Sequence, residues 1–355
     1  MDYSLRAETA DFLKGMGICM ATIEDVAHEA EVSVATVSRV LNNIGVVKAE
    51  TAERVNLAIK KLSYTPNLAA RNLRRNESRV ILMQAPNFTN PYYSQILSGI
   101  CDTSRQLGYI TLVCNTYDNS GIREKTLTDL IDANKVDGTI MLACNYDDYW
   151  LNKYSDVYPI VHCSEHMDNT ALPHISIDNY TAAYDMAKYL IELGHRRIGF
   201  VGSENRFLST RERYRGYCQA LSDAGIPVRR EYIEAGSVDY SFQSGKTACH
   251  ALLSLRERPT AVFCVSDVIA MGVIAEAQEA GLNVPNDISV SGFDDVDYTT
   301  MFHPWLTTIS IPCYEVGRKA MLLLQGHMQK KPDLEKSIYL PHKLIVRESC
   351  AAYEK

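Results

Sequence analysis

Between Thr22 and Asn43 the apolar residues keep a helical period, and the spacing predicts two short helices with a tight break between them. Ile23, Val26, Ala27 and Ala30 fall at i, i+3, i+4 and i+7 and form one stripe. Thr22 stands just before that stripe with Asp25 three residues on, a capping box in which Asp takes the usual Glu position. Glu31 and Val32 make the turn, and Ser33 is placed to cap the second helix. The inner side of that helix is Val34, Val37 and Leu41, while Ala35, Ser38, Arg39 and Asn42 share the opposite side. That side is short, polar and carries one planar cation. It suits a helix whose backbone must approach base edges, with Arg for guanine and Asn for adenine or phosphate. Two helices joined this tightly form a helix-turn-helix. Periodicity by itself shows only that helices pack, and an ordinary helical hairpin with a solvated face fits it equally well.

A third helical stripe follows at Ala52, Val55, Ile59 and Leu62 and closes a three-helix core. Next comes YTPNLAARNLRRNESR, residues 64–79, where Pro66 in a first turn is followed by Ala69, Ala70 and Leu73. This short helix has too few apolar residues to hold alone and needs a partner to form.

From Val80 the pattern changes. The continuous apolar runs VILMQAP, YITLVCN, GTIMLAC, PIVHCSE and HISID read as buried strands, with amphipathic stretches at 94–107 and 122–134 between them. The alternation repeats with RIGFVGS, TAVFCVS and ISVSGFD and with helices near 210–224, 244–254 and 267–280. A strand at 306–310, a helix at 314–327 and a last strand, LIVRES, complete the chain. The reading is an all-α head and an α/β body of two lobes with parallel sheets. Ligands of such sheets bind beyond the carboxyl ends of the strands, in the crevice between lobes. Tyr92 and Tyr93 follow the first strand, Asp178 ends HISID, Asp267 follows TAVFCVS, and Asp294 ends ISVSGFD. Ser209 stands before and Arg213 within the helix after RIGFVGS, and Tyr240 and Phe242 lie in the loop after Gly236. Aromatic faces, carboxylates and one guanidinium together suit a flat or hydroxyl-rich small molecule. For the carboxylates the plainer role is a helix N-cap, above all at Asp267, and for the tyrosines it is packing.

The 355 residues allow two or three domains with full cores. Net charge is −7, which at first argues against DNA. Residues 20–76, however, hold eight Lys or Arg against six Asp or Glu, a net +2 on an otherwise acidic chain. No apolar run reaches the roughly 18 residues of a membrane span. The first 19 residues, acidic and without an apolar core, are no signal peptide and read as an N-terminal extension, either a leader helix or a misplaced start before Met20. Ten scattered cysteines without metal-ligand spacing point to reduced thiols in the cytoplasm. No GxSxG, P-loop or HExxH motif names a reaction, so no catalytic residue, metal or cofactor is expected.

The run TIEDVAHEAEVSVATVSRVLNN followed by YTPNLAARNLRRNESR resembles the head and hinge of the LacI/GalR family of transcription repressors, and the resemblance covers the body from Val80 onward. The stretches NESRVIL, IDNYTAA, PTAVFCVSDVIAMG and AMLLL look most like the cytidine-responsive branch. The resemblance implies a helix-turn-helix domain at 20–66, a hinge at 67–77 and a periplasmic-binding-protein-like effector and dimerisation body at 78–355. Its N-lobe would comprise about 78–191 and 312–339, its C-lobe about 192–311 and 340–355, with crossings near Ile191, Ile311 and Tyr339. Family positions that touch DNA fall on Thr22, Ser33, Val34, Ala35, Thr36, Ser38, Arg39, Asn42, Thr51 and Tyr64. The family's minor-groove wedge falls on Leu73. Val34 and Ala35 depart from the larger side chains known there and offer only apolar contact. Lys48 replaces the serine often found as the third-helix cap and is placed to reach a phosphate. Effector positions fall on Tyr92, Tyr93, Asp178, Ser209, Arg213, Tyr240 and Asp294.

These features imply a cytoplasmic homodimer that binds double-stranded operator DNA under control of a nucleoside or sugar. The other readings are a free solute receptor, opposed by the missing signal peptide and attached head, and a sugar- or nucleoside-processing enzyme of the same two-lobe fold.

Overall fold

The computed structural model describes residues 21–42, 45, 47–64, 77–86, 88–116, 120–133, 135–142, 154, 158–166, 172–205, 207–238, 240–332 and 334–353. The N-terminal extension and the hinge segment with Leu73 lie outside the described residues. The chain separates into two units, Met1–Asn76 and Glu77–Lys355.

The head has three described helices: α1 (Ile23–Glu29), α2 (Val34–Asn42) and α3 (Ala49–Lys61). The capping box forms, with the Thr22 hydroxyl accepting from the Asp25 amide and the Asp25 carboxylate accepting from the Thr22 amide. That bonding holds the Asp25 carboxyl below its ordinary value. Glu31 takes a left-handed φ of 53° and turns the chain. Ser33 Oγ then accepts the Thr36 amide at 3.2 Å and starts α2. Lys48 caps α3 with its backbone alone. The core is Val26, Ala27, Ala30, Val37, Val55 and Ala58, bordered by Ile23, Val34, Leu41, Ile59, Leu62 and Tyr64. Ala58 joins it beside the expected Val55 and Ile59, whereas Ala52 is only half-buried.

In the body, β1 (Val80–Ala85), α4 (Pro91–Gln106), β2 (Ile110–Asn115), α5 (Ser120–Asp132), β3 (Gly138–Met141), β4 (Ile160–Cys163) and β5 (His174–Ile177) begin the first lobe. The second lobe runs through α6 (Asn179–Glu192), β6 (Ile198–Ser203), α7 (Leu208–Asp223), β7 (Ile233–Gly236), α8 (Phe242–Leu253), β8 (Ala261–Cys264), α9 (Asp267–Glu279), β9 (Ser289–Ser291) and β10 (Thr308–Ser310). Last come α10 (Cys313–Met328), β11 (Ser337–Leu340) and β12 (Lys343–Ile345). The first sheet has the order β11-β5-β4-β3-β1-β2 and the second β7-β6-β8-β9. Every pairing within these sheets is parallel, while β12 runs antiparallel to β10.

The interior strands β3, β4, β5 and β8 are buried along their whole length, which is why they read as unbroken apolar runs. At the sheet edge, β2 leaves Ile110, Leu112 and Val113 exposed.

The first crossing between lobes comes a helix earlier than the expected Ile191. The chain leaves the first sheet after Ile177, and α6 packs on α7, β8, β10 and β12. The other two crossings lie between β10 and α10 and between β11 and β12. The strands β7 and β11 are absent from the sequence-based assignment. LIVRES forms a strand only at its start, and Arg347 instead donates to Asp295, Thr299 and the Leu306 carbonyl.

Candidate functional site

Two surfaces carry the chemistry, one in each unit. In the head, α2 turns Val37 fully inward and leaves Ala35 and Arg39 exposed, with Ser38 half-buried beside them. Val34 packs on the head core, so it sits at the border of this face rather than on it. Tyr64 also packs on that core. The hydroxyls of Thr22 and Ser33 are both engaged in caps, and Thr36 lies 3.0 Å from Ser33 Oγ. Thr51 is half-buried and Lys48 exposed at the start of α3. Asn42 closes α2.

The second surface is a small cavity at the carboxyl ends of the strands in the body. Tyr92 and Tyr93 reach it from the first turn of α4, which Asn90 caps by accepting the Tyr92 amide at 3.0 Å. Ser164 and Glu165 reach it from the end of β4, and the Tyr92 hydroxyl bonds Ser164 Oγ. From the second lobe come Phe207, Ser209 and Arg213 of the α7 start, together with Tyr240, Ser266 and Asp294. The Tyr240 hydroxyl is held by Thr210.

Asp294 has a φ of 115°, a conformation that side chains rarely adopt. Its backbone is fixed there by hydrogen bonds to Ile309 at 2.8 Å and from Ile311 at 3.4 Å. Arg213 is 6% exposed and donates from Nε to Asn179 Oδ1 at 2.9 Å and from Nη1 to the Val265 carbonyl. Its guanidinium lies 3.7 Å from the centre of the Phe293 ring and 3.6 Å from Asp294 Oδ1. Glu165 accepts from both the hydroxyl and the amide of Ser209. Burial raises the Asp294 carboxyl to about 7; Arg213 opposes the rise and Glu165 adds to it. Burial also raises Glu165, against the bonds from Ser209 and the charge of Arg213. The Tyr92 and Tyr240 hydroxyls are likewise pushed up by burial and remain neutral donors.

Six of the eight positions expected to hold an effector therefore converge here, and two do not. Asp178 is exposed and caps α6, accepting the Thr181 amide at 2.9 Å and its hydroxyl at 2.6 Å. Asp267 is fully buried beneath the cavity and ties two segments together, accepting from Thr308 Oγ1 at 2.6 Å and from the Val296 amide at 2.9 Å. It is not the helix cap either, because Ser266 accepts the Ile269 amide in that role. The sequence reading missed Ser164, Glu165, Phe207 and Asn179. The signal for the first two was present, since they end the run PIVHCSE just as Asp294 ends ISVSGFD.

A separate apolar groove in the second lobe is lined by Phe242, Met271, Ile274, Tyr298, Phe302 and Leu306. Phe302 is 71% exposed and Met301 beside it 58%, unusual for side chains of that size. Among the described residues no helix is long and apolar enough to cross a membrane, and no cluster of His, Cys, Asp or Glu suits a metal ion.

Comparison with known proteins places these surfaces in context. Residues 22–67 match the family described as bacterial regulatory proteins, lacI family, and residues 187–350 match a periplasmic binding protein-like domain. The chain is 41% identical over 333 residues to the HTH-type transcriptional repressor CytR of Escherichia coli strain K12, covering 94% of this chain and 97% of that one. It is 37% identical over 331 residues to catabolite control protein A of Priestia megaterium, covering 92% and 98%. The solved lac repressor dimer, bound to operator and the anti-inducer ONPF, superposes with a TM-score of 0.85 at 27% identity, covering 94% and 100%.

Proposed function

The chain belongs to the LacI family of bacterial regulatory proteins, and from that premise we propose how its two surfaces work. It is a DNA-binding transcription regulator, as its relatives are, and not an enzyme. The exposed α2 face reads the major groove. Arg39 donates in a bidentate fashion to a guanine, Ala35 and the edge of Val34 meet a thymine methyl, and Ser38 and Asn42 add polar contacts. Thr22, Ser33, Thr36, Lys48, Thr51 and Tyr64 flank that face and position it on phosphates. Leu73, in the hinge at 67–77, wedges a central base step.

The crevice holds the effector, a nucleoside or sugar, between the paired tyrosines and the set Ser209, Arg213, Tyr240 and Asp294. Two copies pair through their bodies, with the apolar groove around Phe302 as part of the buried face, and present two heads to a two-fold operator. Effector occupancy changes operator affinity by a coupling of about 1–3 kcal/mol, enough for a 5- to 150-fold switch. The protein acts in the cytoplasm, where the duplex and the metabolite meet. Transcriptional repression is the expected output.

The observation that carries this reading is the Ala35/Arg39 face held clear of the head core on a doubly capped helix pair. Selection of duplexes from a random pool tests it. A two-fold symmetric site should be enriched, and its affinity should move when a nucleoside or sugar fills the crevice. Enrichment no greater than for random competitor overturns the reading.

A further inference from the structure

We propose that Asn179 is a positioning residue of the crevice: standing where the chain first crosses between lobes, it accepts the Nε–H of Arg213 and so fixes the plane in which the guanidinium is offered to a ligand. This inference rests on the reading of the cavity as the effector site.

The local sequence explains how the two side chains meet. Asn179 is the first residue of α6, directly after the Asp178 cap, so its backbone is set by a helix start. Arg213 stands on α7, and Gly216 follows it one turn on. A Cβ at Gly216 would collide with the Tyr180 carbonyl oxygen and lie 2.9 Å from the Tyr184 amide nitrogen. The bare glycine thus lets α7 press against the backbone of the first turns of α6. That approach brings Arg213 to Asn179, and both are less than a tenth exposed.

The bonding then leaves the guanidinium one orientation. Nε donates to Asn179 Oδ1 at 2.9 Å, Nη1 donates to the Val265 carbonyl, and the central carbon lies 3.7 Å from the centre of the Phe293 ring. A planar ion held at two of its hydrogens and over one face cannot turn about its stem. Asp294 Oδ1 stands 3.6 Å from Nη1, beyond hydrogen-bond distance, so it attracts the charge without fixing the plane. Asn179 is oriented in its turn. Its Nδ2 donates at 3.3 Å to the carbonyl of Ile177, the last residue of β5. The reverse placement of oxygen and nitrogen would set N–H against the Nε–H of Arg213.

Without the Asn179 oxygen the buried Nε–H loses its acceptor. The guanidinium is then free to rotate onto Asp294, and a ligand meets a cation already closed on its acid. The neighbouring Asp178 does not share the role, because its carboxylate accepts from Thr181.

The test uses the full-length protein with uridine, cytidine, adenosine, ribose and glucose as probes, and affinities are read by calorimetry. Asn179→Ala should weaken every probe that the wild type binds by about 10-fold, the weight of a hydrogen bond to a charged group. Asn179→Asp keeps an acceptor for Nε and should recover most of that loss. A second measurement needs no ligand. In isotope-labelled protein the Arg213 Nε–H should give a magnetic resonance signal protected from solvent exchange, assigned by its disappearance in Arg213→Lys. Asn179→Ala should shift that signal and open it to exchange, and Asn179→Asp should restore the protection.

An Nε–H equally protected in Asn179→Ala overturns the proposal, as does undiminished probe binding by that variant. Loss without recovery in Asn179→Asp overturns it as well. Should Asn179→Ala fold poorly, Asn179→Ser takes its place with the same expectations, being polar at the helix start but too short to reach Nε. If no probe binds the wild type, the crevice reading itself fails, and the Nε–H signal still decides whether Asn179 orients Arg213.

Discussion

The head and the crevice are two binding surfaces built on opposite plans. The head keeps its reading groups in water. Ala35 and Arg39 lie on the outside of α2, and the six buried core residues beneath are aliphatic. An exposed cation costs almost nothing to keep ionised, so this surface is tunable at little expense to folding. The crevice instead buries Glu165, Asp294 and Arg213 together and holds Asp294 in a strained conformation. Buried ions need partners, and their mutual compensation is part of the fold. In the head, the outward groups Ala35 and Arg39 are not the residues that build the core. In the crevice, recognition and stability rest on the same residues.

The strongest way to break this contrast is Arg213→Ala. It removes the cation that lies 3.6 Å from the buried Asp294 carboxylate and should destabilise the body by about 3–5 kcal/mol, read by chemical denaturation, with loss of effector response. Wild-type stability in that variant would mean that the crevice is as loosely coupled to folding as the head.

Asp294→Asn sharpens the same point through pH. The folded carboxyl is raised to about 7, well above its ordinary 3.8. Between those values the folded state holds a proton that the unfolded chain has shed, so stability falls as pH rises. The stabilisation is complete below about pH 4 and gone above about pH 7. Asp294→Asn should flatten that slope and be the more stable protein at pH 8, by about 1–3 kcal/mol after allowance for coupling to Glu165 and Asp267. An unaltered pH–stability curve would remove Asp294 as the titrating group.

Arg39→Ala should do the converse. Operator affinity should drop by about 1–3 kcal/mol and base preference should relax at one position per half-site, with unchanged melting of the head. Unaltered preference would remove Arg39 from the reading role.

The contrast also explains what the sequence made legible. The head could be read almost residue by residue because its signals are local: the Thr22–Asp25 box, the Ser33 cap and the stripe through Val37 and Val55 need no knowledge of distant chain. Ala58 slipped through because alanine carries little apolar signal of its own. The parallel sheets were legible for the same kind of reason, since buried strands such as β4 and β8 are apolar without a break. The edge strand β11, with alternating exposure and a charged approach, was not. In the crevice the rule that ligand groups follow strands found Asp294 and Tyr92. It also picked up Asp178 and Asp267, because strand ends are helix starts, and there an aspartate serves a cap or a buried tie as readily as a ligand. The same rule would have reached Glu165 at the end of PIVHCSE, but its tie to Ser209, 44 residues away in sequence, was not legible.

Thr22→Ala probes a place where the head departs from its own plan. Thr22 is both the cap of α1 and a position at which the family meets DNA. Its hydroxyl accepts the Asp25 amide at 3.2 Å and donates to the Asp25 carboxylate at 2.8 Å. Loss of these bonds should cost the head about 1 kcal/mol, the ordinary weight of an N-cap, read by thermal melting. Thr22→Ser restores the cap oxygen and should recover that stability. DNA affinity then separates the roles. With the hydroxyl spent on Asp25, a phosphate meets chiefly the amides at the α1 start, and Thr22→Ser should bind operator like the wild type. If Thr22→Ser melts normally yet binds operator tenfold more weakly, the threonine methyl itself contacts DNA, and the division of labour in the head is less clean than its core suggests.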